Sequence, residues 1–280
     1  VSPLGRRAFL RRSAWQPTTA LLSAAALPWG LASCASIVET PGNPSSLAPP
    51  WPDRPVLLLG ELHDNPEHHR LRAEGLVAWA SFFSARGDAR ATVVAFEPMN
   101  RSRNAFLIEA YRSLGLLAES QAGPGLTVRA APHWNEAALS TAADQMAEAG
   151  GLDHRGWAWP MHKPIFVACL RVGARIIGAN LDANEARDIA RRGASALAPD
   201  LQRTLDADRG WSASEQRAAE TEIDHGHCGL LPPARWPSMV LAQRARDAAM
   251  AQVMVQASDR RRQRVVLIAG NGHVLSLIHI

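Results

Sequence analysis

Four short apolar runs, each ending in a polar cluster, constrain this fold more than any other feature of the chain. They are Val56-Leu57-Leu58-Leu59-Gly60, Ala91-Thr92-Val93-Val94-Ala95-Phe96-Glu97, Ala174-Arg175-Ile176-Ile177-Gly178-Ala179-Asn180 and Arg264-Val265-Val266-Leu267-Ile268-Ala269-Gly270. Continuous apolar runs of this length suit strands buried on both faces. Helical patterns separate them. One covers 66–83, with Asn65 placed as N-cap and Pro66 in the first turn. Others cover 101–117, 136–148, 165–172, 183–192, the region 200–223, and 237–256. Strands alternating with helices predict a single α/β domain with a mostly parallel central sheet and helices on both faces. An apolar fraction of 47% is ample for its core, and no internal repeat is visible.

In an open parallel sheet, ligands bind beyond the carboxyl ends of the strands. Parallel strands here would bring Glu61, His63, Glu97, Asn180 and His273 into one crevice. Gly60, Gly270 and Gly272 would allow tight turns and close backbone approach there. A glutamate after a strand often caps a helix, and a lone histidine is usually structural. The same arrangement on four strands argues for a site.

The ordered motifs resemble those of the ChaN-like haem-binding uptake family within the Tiki-like superfamily. Gly60-Glu61-Leu62-His63-Asp64-Asn65 followed by His68-His69 looks like that family's opening motif. Glu97-Pro98-Met99 is similar to its second-strand segment. Trp157-Ala158-Trp159-Pro160 with Lys163-Pro164-Ile165 resembles its Trp-rich segment. Gly178-Ala179-Asn180, His227-Cys228-Gly229 and the late turn Gly270-Asn271-Gly272-His273 complete the set, which spans about residues 55–274. The resemblance implies haem binding by a bacterial surface lipoprotein in iron acquisition, with haem, a membrane and a homodimer partner as its associations. The superfamily also includes metal-dependent peptidases and esterases, so two function classes follow.

Haem needs an apolar slot, an axial ligand and cations near its propionates. Residues 157–164 supply all three types. Trp157, Trp159 and Met161 would line the slot, His162 would ligate the iron as a neutral imidazole, and Lys163 would face a propionate. The bland alternative makes the tryptophans core and His162 a residue at a helix start. Where the family usually carries tyrosine, this chain carries His162, and Tyr111 is its only tyrosine. A tyrosinate-ligated haem is therefore not expected.

The second class is a metal-dependent hydrolase. In it Glu61, His63, Glu97 and His273 would hold a divalent metal or act as general base, His63 and His273 ligating as neutral imidazoles. The spacing differs from the zinc His-Glu-x-x-His helix. The segment Asp224-His225-Gly226-His227-Cys228-Gly229 is too short to complete a zinc site alone, and His227 is expected to face the crevice beside the haem residues. His68 and His69 are adjacent on a helix, so at most one points inward. Gln243 and Asp247 share a helix face and are expected to orient crevice residues.

Residues 1–33 carry Arg6, Arg7, Arg11 and Arg12 and no acid, and these four arginines account for the whole excess of 30 basic over 26 acidic residues. The remaining chain is neutral, which gives no case for nucleic-acid binding. An apolar run follows the arginines and is too short to span a bilayer permanently, so 1–33 reads as a signal peptide with a twin-arginine-like start. Leu31-Ala32-Ser33-Cys34 looks like a lipobox, which makes Cys34 the lipidated first mature residue. Acyl chains would hold it stably on a membrane, and Ala35 favours the outer membrane of a Gram-negative host. The proline-rich stretch 34–54 reads as a tether, leading to the folded domain at 55–280. Cys169 and Cys228 leave one disulfide open. The apolar ending Val274-Leu275-Ser276-Leu277-Ile278-His279-Ile280 departs from the family pattern and is expected to mark a truncated or read-through C-terminus.

Overall fold

The sheet forms from the four predicted strands: β1 (Val56–Glu61), β2 (Thr92–Asn100), β3 (Arg175–Asn180) and β4 (Arg264–Gly270). In this computed structural model their order is β1-β4-β2-β3 and every pairing is parallel. The last strand in sequence thus lies between the first two. The described residues are 51, 54–118, 126–154, 156–207, 210–258 and 262–277, all within the unit Leu47–Ile280. The predicted signal peptide, Cys34, nearly all of the tether and residues 278–280 lie outside them.

Side chains alternate across the sheet, as strand geometry dictates. Val94, Phe96, Ile176, Val266 and Ile268 enter one core. Val93, Ala95, Ile177, Val265 and Leu267 enter the other. The first core is closed by α1 (Pro66–Ser84), α2 (Asn104–Ser113), α3 (Glu136–Ala149) and α4 (Trp159–Val172). The second is closed by α8 (Trp236–Ala257) through Met250, Val253, Met254 and Ala257. Outside α8, Leu181, Ile189 of α5 (Ala183–Arg192) and Leu201 of α6 (Pro199–Ala207) pack on its Ala245, Ala248 and Ala249. Helices cover both faces, so the middle of each strand is apolar and its polar residues fall toward the ends.

Local chemistry sets most helix ends. Asn65 accepts hydrogen bonds from the Glu67 and His68 amides at the start of α1. The region 200–223 divides into α6 and α7 (Ala213–Gly226), the latter opened by a capping box between Ser212 and Glu215. The helix predicted over 101–117 is shorter: a 3-10 turn occupies Arg101–Arg103, and α2 stops before Gly115, whose φ is 68°. Tyr111 is buried in α2, its hydroxyl accepting from the Ile176 amide at 2.7 Å.

Two segments differ from expectation in ways that reach the site. Helix α4 begins at Trp159, six residues before the predicted start, because Pro160 falls in the first turn, where a missing N–H costs little. The late Gly-x-Gly-His segment is not a turn but the opening of α9 (Asn271–Leu277). Cys169 and Cys228 are free, one buried and one exposed, so the disulfide left open by sequence does not form. Among the described residues no helix is long and apolar enough to cross a membrane.

Candidate functional site

The carboxyl ends of β1, β4 and β2 carry a continuous chain of acids and histidines. Glu61 ends β1 and Glu97 lies near the end of β2, with Gly270 of β4 between them and paired in register with Glu61. His63 Nδ1 donates to Glu61 Oε1 at 2.9 Å, and His63 Nε2 stands 3.7 Å from Glu97 Oε2. That same oxygen accepts the Gly270 amide at 2.7 Å. The other Glu97 oxygen lies 3.2 Å from His273 Nε2, and His273 Nδ1 donates to Asp247 Oδ1 at 2.6 Å. Gly270 leaves room for the His63 ring: a Cβ at this position would come within 2.7 Å of His63 Nε2 and would displace it.

The charges follow from this geometry. Burial opposes charge on His273, but the carboxylates of Asp247 and Glu97 on either side overcome it and raise its pKa to about 10. Burial likewise opposes the Glu97 carboxylate, and His273 holds it below the usual range. The hydrogen bond to Glu61 raises His63. Only His63 of this chain reaches solvent substantially, its side chain 41% exposed and its ring edge-on to Trp157 at 4.6 Å.

The sequence grouped Glu61, His63, Glu97 and His273, and the structure brings all four together. Asp247 orients His273 from α8, as its place on that helix face suggests. Asn180 stays apart, its side chain accepting from the Leu181 amide. His68 and His69 diverge: His68 Nδ1 accepts from the Leu62 amide, whereas His69 is buried and its Nε2 donates to the His63 carbonyl at 3.0 Å. His227 is exposed at the end of α7, its Nδ1 bonded to the Ile223 carbonyl. It does not line the cavity of about 260 Å³ that His273 borders.

Residues 157–164 divide between the interior and the surface: Trp159 and His162 are buried, while Pro160, Lys163 and Pro164 lie on the wall of an open groove. The early start of α4 places Trp159, His162 and Phe166 on its inner face. Trp159 packs on Phe166 and donates Nε1–H to Asp144 Oδ1 at 2.7 Å. Lys163 pairs with the other Asp144 oxygen at 2.8 Å. Met161 and Trp157 are half-buried. His162 is 1% exposed, and burial lowers its pKa to about 4. Its ring packs against His69 at 4.2 Å, beside Glu61. The sequence reading missed Arg72, whose Nη1 lies 3.7 Å from Glu61 Oε2. It also assigned no role to His69. The buried stripe of His69, Ala73, Leu76 and Phe83 on α1 carries the signal that would have placed His69 inside.

On the outer side of the α1–α4 pair lies an open groove of about 800 Å³. Ala73, Val77 and Ala78 of α1 and Val167 and Ala168 of α4 give it an apolar lining, with Arg70, Lys163 and Arg171 also on its walls. Each cation is engaged by a carboxylate: Arg70 by Glu67 and Glu74, Lys163 by Asp144, and Arg171 by Glu136.

No curated protein matches the chain. Its fold is similar to that of a solved structure described as cofacial heme binding to ChaN of Campylobacter jejuni. That match has a TM-score of 0.55 and 20% identity, and covers 77% of this chain and 70% of the other. Residues 47–277 match the profile of the family described as haem-binding uptake, Tiki superfamily, ChaN, and the chain belongs to that family.

Proposed function

We propose that this member of the haem-binding uptake family binds haem in the groove between α1 and α4, as a lipoprotein of bacterial haem or iron uptake. The groove carries the reading. Its volume of about 800 Å³ lies within the range of small-molecule and cofactor sites. The apolar residues of α1 and α4 suit the porphyrin body, and Arg70, Lys163 and Arg171 suit the propionates. Because each cation already holds a carboxylate, a propionate would exchange one anionic partner for another. Among the described residues no His, Tyr, Cys or Met lines the groove, so these walls grip the ring and the propionates without an iron ligand. His162 is one residue from Lys163 on α4 but is not on the groove wall. Bound haem supplies the iron that uptake delivers; the chain's part is to hold it.

Titration of the purified domain with haem, followed by the Soret band, tests this. The expected result is saturable binding that survives His162→Ala. Absence of any Soret shift defeats the haem reading, and loss of the shift in a His162→Ala or His162→Gln variant that circular dichroism shows to be folded moves the haem from the groove to His162.

The lipid anchor rests on Cys34 and the arginine-led apolar segment before it. Export followed by acylation of Cys34 would place the folded domain on the outer face of a bacterial membrane, the outer membrane in a Gram-negative host. Cys34→Ser expressed in such a host should move the protein from the membrane to the soluble periplasmic fraction. Unchanged membrane association would reject acylation at this residue.

A further inference from the structure

Behind the groove, three side chains from three elements meet. They are Glu61 from the end of β1, His69 from α1 and His162 from α4. One ligand atom of each lies within 4.8 Å of the other two, and all three residues are buried. Glu61 Oε2, His69 Nδ1 and both nitrogens of His162 are buried and make no hydrogen bond. Buried polar atoms are almost always paired, so four orphans at one point need a cause.

The hydrogen bonds that do exist fix which atoms are free. His69 Nε2 faces the His63 carbonyl, which can only accept, so Nε2 carries the proton. In neutral His69 the lone pair is then on Nδ1, which faces Glu61 Oε2 at 3.6 Å. A lone pair facing a carboxylate across a buried gap is repulsive, and either a proton on Nδ1 or a cation between the two groups relieves it. Glu61 Oε1 is held by His63 Nδ1, which leaves Oε2 turned inward. Arg72 does not resolve the arrangement. Its Nη1 stands 3.7 Å from Oε2, beyond hydrogen-bond distance, and it offers His162 nothing.

We propose that Glu61, His69 and His162 form a site for a divalent transition-metal ion of the zinc or iron(II) class. Two imidazoles and one carboxylate are a donor set that such ions take, with positions left for water. Ligands about 2.1 Å from one ion at a tetrahedral angle stand about 3.4 Å apart, close to the 3.6 Å between His69 Nδ1 and Glu61 Oε2. The outer partners are also of the usual kind. His69 gives its second ring N–H to a carbonyl, and the second Glu61 oxygen is held by a histidine. The site adjoins the Glu97–His273–Asp247 pairing through His63, shares only Glu61 with that continuous chain, and is not the axial position of a groove-bound haem. An ion here would fasten β1 to α1 and α4, the two helices that wall the groove.

Zinc and cobalt(II) titrations of chelator-treated, haem-free protein test the proposal, with cobalt reporting through its visible ligand-field bands. The expected result is one equivalent of ion, a raised melting temperature on binding, and affinity reduced at least tenfold in His162→Ala and in Glu61→Gln. Circular dichroism of each variant separates loss of ligand from loss of fold. If His162→Ala does not fold, His162→Gln takes its place. No binding by the unaltered protein overturns the proposal. So does binding that both variants retain, or binding lost in His273→Ala but kept in His162→Ala, which would put the ion among His63, Glu97 and His273. The assay contains no haem, so its result is independent of the groove reading.

Discussion

Asp247 Oδ1 lies 2.6 Å from His273 Nδ1, joining the middle of α8 to the first turn of α9 beyond β4. This contact and the Glu97 contact on the other ring nitrogen lock three elements around one imidazolium. They determine how the sheet end responds to mutation and to pH.

Removing Asp247 takes one carboxylate from a buried charge that also faces Glu97. Asp247→Ala is expected to cost about 3 kcal/mol near neutral pH, as for other broken buried pairs. The folded His273 pKa is about 10, against 6.5 in the unfolded chain. The stabilisation is therefore complete below about pH 6.5 and disappears as pH rises through about 10. Urea unfolding of both proteins should show the gap narrowing at alkaline pH; a gap independent of pH would mean that His273 is not charged.

His162 predicts the opposite behaviour in acid. Burial holds its folded pKa at about 4, from 6.5 unfolded. Below about pH 6.5 the unfolded chain takes a proton that the folded chain refuses, so stability falls as pH drops toward 4. The loss attributable to this residue is at most about 3 kcal/mol. In chelator-treated protein, His162→Gln should have a shallower acid slope than the unaltered chain. Equal slopes would contradict the burial assigned to this ring.

The groove reading predicts that a charge on its wall repels the porphyrin. Val167→Asp should weaken haem binding about tenfold or more, equivalent to about 1.4 kcal/mol; because Val167 is partly buried against the core, the melting temperature of the variant separates lost affinity from lost fold. Soret titrations of the two proteins side by side are the check, and equal affinities would place the haem elsewhere.

Gly178 tests the path of β2. A Cβ there would stand 2.3 Å from the Asn100 carbonyl oxygen, 2.8 Å from its carbon and 3.0 Å from the Met99 carbonyl carbon. All are backbone atoms where the β2–β3 register shifts, between Phe96 and Asn100. Asn104 fixes the same spot by bonding the Gly178 amide and carbonyl at 2.7 and 3.0 Å. Gly178→Ala should cost about 2–3 kcal/mol through overpacking, read as a lowered melting temperature; full stability would show that the two strands can separate here.

Much of the fold was legible because its signals are local. The ends of β4 and α5 fall where the apolar run and the helical pattern stop, at Gly270 and Arg192. Asn65 and Pro66 fixed the start of α1. The misreadings were also local ambiguities. The helix expected over 165–172 starts after both Pro160 and Pro164, yet Pro160 occupies the tolerant first turn and Pro164 sits one turn further in. At the site, Glu61, His63, Glu97 and His273 were legible because strand ends in a parallel sheet share one edge.

The sequence by itself determined the four-strand frame, the polar edge, the family and the neutral charge of the folded part, because each is written in neighbouring residues or in composition. Only the tertiary structure decided that His162 faces His69 and Glu61 and that Trp159 serves the core. It also decided that the groove is walled by α1 and α4. Those contacts join residues up to about a hundred positions apart, and they depend on how one helix face packs against another.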